Sequence, residues 1–163
     1  MSSRSFINLR NWILVAVASV ALGNASVVAG EVPIKAQLIW GTDGAKPDDK
    51  DFKELDPKVR EKLRHLRWKN YWVVKAKTQD INDKEGKKFV LSEKCAVEFK
   101  ELADDKLEVS LYTIKAGGAE KLVKTFPCSL AALKNGEYLI LGGDDKEKWD
   151  DAWIVIITCG KVK

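Results

Sequence analysis

The sequence contains few of the residues that catalytic and zinc sites depend on. Its 163 residues include one histidine, His65, and three cysteines. A serine or cysteine hydrolase needs an imidazole base that a carboxylate holds beside the nucleophile, and a zinc site needs cysteine and histidine ligands at short spacings. Neither pattern occurs, because His65 stands among basic residues and the cysteines lie more than thirty residues apart. The sequence therefore favours a non-catalytic protein without a cofactor.

The sequence has only one long apolar run, at 12–22. Arg4 and Arg10 precede this run, no acidic residue accompanies it and small residues follow it, which is the order found in export signals. We predict a signal peptide in residues 1–30; the alternative is an uncleaved membrane anchor. Three small residues mark candidate cleavage positions: Gly23, Ala25 and Gly30. The exported chain is then expected in the periplasm or outside the cell, without a transmembrane segment.

Removal of the signal changes both the length and the charge of the chain. It leaves 163 − 30 = 133 residues, enough for one domain with its own core and too few for two. We therefore predict a single β-rich domain over residues 31–163. Because the signal carries two arginines, the formal net charge falls from +4 to +4 − 2 = +2. This small charge argues against nucleic acid as a partner.

Alternating apolar residues recur along the exported chain and predict β-strands. The predicted strands cover residues 32–40, 71–77, 89–91, 95–102, 107–114, 122–126, 138–141 and 152–159. Turn sequences such as "ADDK" at 103 and "KAGGAE" at 115 separate them. The pattern predicts a mainly β (α+β) fold: an antiparallel sandwich or partly closed barrel of about 7–8 strands, with one helix between the first two strands over an open edge or end.

The three cysteines raise the question of a disulfide in an oxidising compartment. If the chain reverses at every turn of one meander, Cys128 and Cys159 fall at the same end of the sheet and Cys95 at the other. We predict a Cys128–Cys159 disulfide, which would close a loop of about 31 residues and stabilise the fold by roughly 3–4 kcal/mol. Cys95 is then expected to be a small apolar core residue beside Val97 and Phe99.

The predicted helix begins after Asp56. The Asp56 side chain can accept from the free amides of the first turn, and Pro57 suits the first helical position. Apolar residues follow at helical spacing: Val59, Leu63 and Leu66. We expect the helix to end near Arg67, and Trp68 to lie in the connector and fold back onto the sheet.

The same segment is strongly basic and forms a candidate interaction patch. Its residues are Lys62, Arg64, Arg67 and Lys69, with Lys58 and Arg60 nearby and Glu61 as the single acid. One interpretation is a contact surface for acidic lipid headgroups, an anionic polysaccharide or an acidic partner protein. The other, which we favour, is an ordinary solvated helix face.

An acidic loop interrupts the last two predicted strands. The weak metal candidates in it are Asp144, Asp145, Asp150 and Asp151. Carboxylates on loops are the ligands that calcium prefers, but Lys146 and Lys148 stand among them. The composition also suits the solvated tip of a β-hairpin, with Trp149 folding back onto the sheet edge. We favour the hairpin tip and expect no metal.

The sequence contains six tryptophans. Exposed aromatic rings can bind sugars or peptides. Trp40, Trp72 and Trp153, however, lie on the apolar faces of predicted strands. We therefore expect most of the tryptophans to belong to the core.

Four segments carry a resemblance to known proteins: "LIWGTDG", "LRWKNYWVV", "KCAVEFKEL" and "YLILGGDDKEKWDDAWIVII". Together they resemble a group of small exported bacterial proteins of unassigned function, which share a strand, a helix and a closing glycine-rich hairpin. The resemblance covers nearly the whole exported chain and implies no activity or cofactor. Separately, "NGEYLILGG" with "WIVIIT" is similar to the hairpin near the end of secretin-type outer-membrane channels, over fewer than thirty residues.

Two classes of function remain after these observations. The first is an exported non-catalytic binding or structural module of the periplasm or cell envelope. Its partner would be a protein or another envelope component that contacts the basic helix, a sheet edge or the acidic loop. The second is a calcium-dependent binder or a hydrolase that uses the 144–151 loop. We favour the first, because the residues that catalysis needs are scarce.

Overall fold

The computed structural model describes residues 32–48, 50–81, 86–144 and 151–160. Within these ranges the chain forms nine strands and two short helices. In chain order they are β1 Val32–Thr42, β2 Lys53–Glu54, α1 Pro57–Lys62, β3 Asn70–Ile81, β4 Lys87–Ser92, β5 Cys95–Leu102, β6 Lys106–Ile114, β7 Glu120–Ser129, α2 Leu130–Lys134, β8 Leu139–Asp144 and β9 Ala152–Cys159. The predicted signal peptide lies outside the described residues.

The strands form two antiparallel sheets that face each other. The first sheet has the order β2-β3-β1-β9-β8, and the second has the order β4-β5-β6-β7. The second sheet is the predicted meander of sequential hairpins, whereas in the first sheet β9 returns to pair with β1. The prediction of a mainly β antiparallel sandwich is confirmed. Neither sheet closes into a barrel.

The inter-sheet core lies between the two sheets. From β1 it takes alternate residues, among them Ile34, Ala36 and Leu38, because successive side chains of a strand point to opposite faces. Phe89 and Phe99 of the second sheet meet edge to face, with ring centroids 4.8 Å apart. Such aromatic pairs stabilise a core beyond the apolar area that they bury.

A second apolar cluster, the outer core, covers the opposite face of the first sheet. Ile39 of β1 and Ile154 and Ile156 of β9 contribute to it and are buried. Val59 and Leu63, from α1 and the turn after it, pack over them. The helical segment was expected over an open edge or end of the sheet, and this expectation is wrong: β1 and β9 carry apolar residues on both faces, so the outer face also needs a cover.

Helix α1 begins as predicted and ends earlier. Asp56 is the N-cap and its Oδ1 accepts the amide of Lys58 at 2.8 Å, while Pro57 occupies the first turn. The helix ends at Lys62 instead of near Arg67. The amide of Leu63 donates to the carbonyl of Arg60, three residues back, and this tighter pattern is typical of the last turn of a helix.

Helix α2 was not predicted, although its sequence carries helix signals. Ser129 caps it, because its hydroxyl accepts the amide of Ala132 at 3.2 Å. Gly136 follows with a positive φ of 89°, and its amide donates to the carbonyl of Leu133. Left-handed glycine is the usual residue after a helix. Leu130 and Leu133 bury into the inter-sheet core, so α2 covers one end of the sandwich.

The predicted disulfide is absent, since all three cysteines lie among the described residues and are free. The prediction placed Cys128 and Cys159 in one meander. In the structure Cys128 belongs to β7 of the second sheet and Cys159 to β9 of the first. The chain changes sheets between them, so the single meander that the prediction assumed does not exist, although both side chains pack against the inter-sheet core. Cys95 does pack against the inter-sheet core that holds Val97 and Phe99, as expected.

Across the described ranges, the structure offers no helix with the length and apolar character that a membrane crossing demands.

Candidate functional site

The basic segment, residues 57–69, contains a groove of about 340 Å³. The residues that line it are Pro57, Arg60, Glu61, Leu63, Arg64, Leu66, Trp68, Lys69 and Tyr71. Of the predicted patch, Arg64 and Lys69 line the groove. Lys62 and Arg67 are exposed on the same segment but do not line it. The structure therefore brings two of the four predicted residues together and adds Arg60.

Three hydrogen bonds hold the rim of this basic groove in place. The Arg60 guanidinium donates to the carbonyl of Lys69 at 2.8 Å and ties the helix to the connector before β3. The amide of Lys69 donates to Oδ1 of Asp43 at 2.9 Å. Asn70 donates from its side chain to the carbonyl of Gly44. The backbone of Lys69 is therefore held in place by hydrogen bonds to Arg60 and Asp43.

The groove has an apolar floor. Leu63 is fully buried, and Leu66, Trp68 and Tyr71 pack in the same outer core. Trp68 folds back onto the sheet, as predicted: a Cβ placed on Gly41 of β1 would lie 3.2 Å from the Trp68 ring. Glycine at this position lets the indole contact the strand backbone. The Arg67 guanidinium lies 5.4 Å from the centre of the Trp68 ring, within the range of a cation–π contact.

The groove combines positive charge with a phenol that stays protonated. Burial raises the pKa of Tyr71 above its ordinary value, and the nearby Arg60 opposes this only in part. Tyr71 Oη donates weakly to the carbonyl of Leu63, at 3.5 Å. An apolar floor with a cationic rim suits a ligand that carries an anionic group next to a carbon skeleton.

The acidic loop is described only at its two ends. Asp144 closes β8 opposite Ala152 of β9, which confirms a hairpin here. Asp151 is 7% exposed. Asp145 and Asp150, like Glu147 and Trp149, lie outside the described residues. Within the described part of the chain, no three histidine, cysteine or acidic side chains lie close enough to share a metal ion. The calcium hypothesis stays a prediction.

His65 lies on the exposed side of the turn after α1. It lies between Arg64 and Arg67 of the basic segment, as the sequence indicated.

Three tryptophans that we expected in the core instead form a row on the first sheet. Trp72 of β3 pairs with Trp40 of β1, and Trp40 pairs with Trp153 of β9. None of the three belongs to either core cluster, and Trp153 is 38% exposed. We call Trp72, Trp40 and Trp153 the tryptophan row. The alternation of the sequence correctly placed the three tryptophans on one face of the sheet. It did not show that the inter-sheet core on this face ends before it reaches them.

No protein-family model matches the chain, and neither a curated protein nor a solved structure matches it.

Proposed function

We propose that the protein is a non-catalytic binding module of the cell envelope that recognises an anionic group through its basic groove. The observation that carries the proposal is the grouping of Arg60, Arg64 and Lys69 around one groove of about 340 Å³ with an apolar floor. A solvated helix face, which we favoured from the sequence, does not require such a concavity. The proposal includes export through the predicted signal in residues 1–30.

The arrangement of charge supports binding of an anion. Guanidinium groups present paired donors that match phosphate and carboxylate oxygens. The groove would therefore bind a phosphate or carboxylate group of an envelope lipid, polysaccharide or protein.

Charge reversal in the groove tests this function. We expect an Arg64→Glu, Lys69→Glu double variant to bind isolated envelope material and phosphatidylglycerol vesicles at least about tenfold more weakly than wild type. Co-sedimentation at low and physiological salt measures the binding. The matched control is Lys58→Glu with Lys62→Glu, which makes the same change in net charge outside the groove lining.

The two double variants separate a groove from a general charge effect. The proposal predicts a large loss for the groove variant and a smaller loss, abolished by salt, for the control. Equal losses would mean that only the overall charge matters. Full binding by the groove variant at physiological salt would show that the contact lies elsewhere. Circular dichroism melting of both variants checks that each is folded.

A further inference from the structure

The basic segment concentrates the positive charge of the exported chain in one place. Residues 57–69 hold six lysine and arginine side chains and one glutamate, which gives a formal charge of 6 − 1 = +5. The exported chain as a whole, residues 31–163, carries +2, so its other residues together carry 2 − 5 = −3. A molecule whose charges are separated in this way turns its basic side toward an anionic surface.

Exposed basic side chains also lie outside the basic groove. Lys58 and Lys62 of α1 are exposed and do not line it. A single small anion held in the groove occupies the groove alone. A lipid surface presents many phosphate groups side by side, and it attracts lysines around the groove as well as those in it. The distribution of charge therefore favours a lipid surface over a free small ligand.

The apolar floor of the groove favours a lipid over a polysaccharide. Leu63 and Tyr71 are buried, Leu66 and Trp68 are half-buried, and all four line the groove. A polysaccharide carries its charges on hydroxylated rings, which gain little from contact with such a floor. A phospholipid joins its phosphate to glycerol and acyl carbons. One lipid molecule can therefore place its phosphate on the cationic rim and bury carbon atoms on the floor.

The rim offers donors that the protein itself does not use. Within the described ranges, the side chains of Arg64 and Lys69 form no hydrogen bond or ion pair. Arg60 donates one N–H to the carbonyl of Lys69, and a guanidinium has five. Tyr71 Oη donates only weakly to the carbonyl of Leu63, at 3.5 Å. These groups can all donate to the oxygens of a phosphate.

One residue of the lining, Glu61, carries the opposite charge. The amide of Arg64 donates to the carbonyl of Glu61, three residues back, and opposite charges at this spacing commonly pair. The Glu61 carboxylate nevertheless has no hydrogen bond or ion pair among the residues that the structure describes. A purely anionic ligand would be repelled by this carboxylate. A ligand with a cationic donor beside its phosphate would satisfy it.

We propose that the basic groove binds a phosphoethanolamine headgroup at a lipid surface. The phosphate accepts from Arg64 and Lys69, and the primary ammonium donates to Glu61. This inference rests on the proposed function, because it requires the groove to bind an anion, and it adds the chemical class of the ligand. A phosphocholine headgroup has no N–H to donate to Glu61, and a phosphoglycerol headgroup has no cation.

Co-sedimentation of the full exported chain with two kinds of vesicle tests the proposal. Both contain the same fraction of phosphatidylglycerol, and the remaining lipid is phosphatidylethanolamine in one and phosphatidylcholine in the other. We expect about tenfold tighter binding to the ethanolamine vesicles, because only they satisfy the Glu61 carboxylate. Glu61→Gln should abolish this preference. The matched control is Glu54→Gln, which removes the same charge from an exposed residue of β2 outside the groove lining.

The outcomes separate this inference from the proposed function. A preference that Glu61→Gln abolishes and Glu54→Gln retains supports the headgroup. Equal binding to both kinds of vesicle, or a preference that survives Glu61→Gln, overturns the inference and leaves anion binding by the groove intact. Binding to envelope protein or polysaccharide but to neither vesicle also overturns it. Competition by free phosphoethanolamine with the affinity of the vesicles would identify a soluble ligand and overturn the lipid surface. Absence of all binding overturns both proposals.

Discussion

Cys95 illustrates how burial controls the chemistry of a single residue. Its side chain packs against the inter-sheet core, and burial raises the pKa of the thiol to about 11. The nucleophile is the thiolate, so Cys95 is inert near neutral pH. Burial also raises the pKa of the Cys128 and Cys159 thiols. The expectation of Cys95 as a core residue followed from its neighbours in a strand, and the structure agrees.

We predict that Cys95 resists alkylation in the folded protein until the pH approaches about 11. Iodoacetamide labelling followed by peptide mass spectrometry should find a lower Cys95 rate in native protein than in urea at pH 9. Since the folded pKa lies above the unfolded value, the folded state retains a proton that the unfolded state loses. The stability difference between wild type and Cys95→Ala should therefore decrease as the pH rises from 9 to 11. Equal labelling rates in native and unfolded protein would contradict the prediction.

At the scale of elements, both helices are too short to be stable alone and depend on caps and packing. In the sequence, Asp56 and Pro57 mark the start of α1. Ser129 marks the start of α2, and Gly136 follows its end. The start of a helix is readable because a cap is a local interaction. The predicted end of α1 is too late. The apolar spacing continues to Leu66, but from Leu63 onward the amides donate to carbonyls three residues back instead of four.

Loss of the α1 cap should lower the stability of the protein. We expect Asp56→Ala to reduce the free energy of unfolding by about 1 kcal/mol, because the amide of Lys58 loses its acceptor. Asp56→Asn keeps an acceptor and should cost clearly less. Urea unfolding followed by tryptophan fluorescence measures both. Equal losses for the two variants would mean that the carboxylate acts through charge rather than through the cap.

At the scale of the whole molecule, the two sheets are held together by the inter-sheet core. Phe99 is fully buried in it and contacts Phe89. Val90 lies on the same sheet but is 44% exposed. Side chains of neighbouring strands thus differ sharply in how much they stabilise the sandwich, according to the face that they occupy.

We predict that Phe99→Ala destabilises the protein by about 3–5 kcal/mol, since it leaves a large cavity between the sheets. Val90→Ala, at the exposed position, should change stability by less than about 0.5 kcal/mol. Thermal and urea unfolding of both variants provide the comparison. Similar small effects for the two would mean that the sheets do not depend on this core.

The sequence by itself determined the local features of this protein. The period of two placed the strands, and Asp56 with Pro57 placed the start of α1. The basic residues of 57–69 were visible as charge, because charge and period are properties of neighbours along the chain. It did not determine how the strands divide into two sheets, and the disulfide prediction assumed a single meander that the structure does not contain.

Only the tertiary structure decided which surfaces became candidate sites. Arg60, Arg64 and Lys69 meet around a groove because Trp68 turns back onto Gly41. Trp40, Trp72 and Trp153 align because β9 returns to β1, more than one hundred residues later in the chain. They remain outside the core because the core ends at Leu38 and Val155. Such pairings join residues that are distant in sequence. Local alternation does not indicate which strands will pair, or where the core that covers them ends.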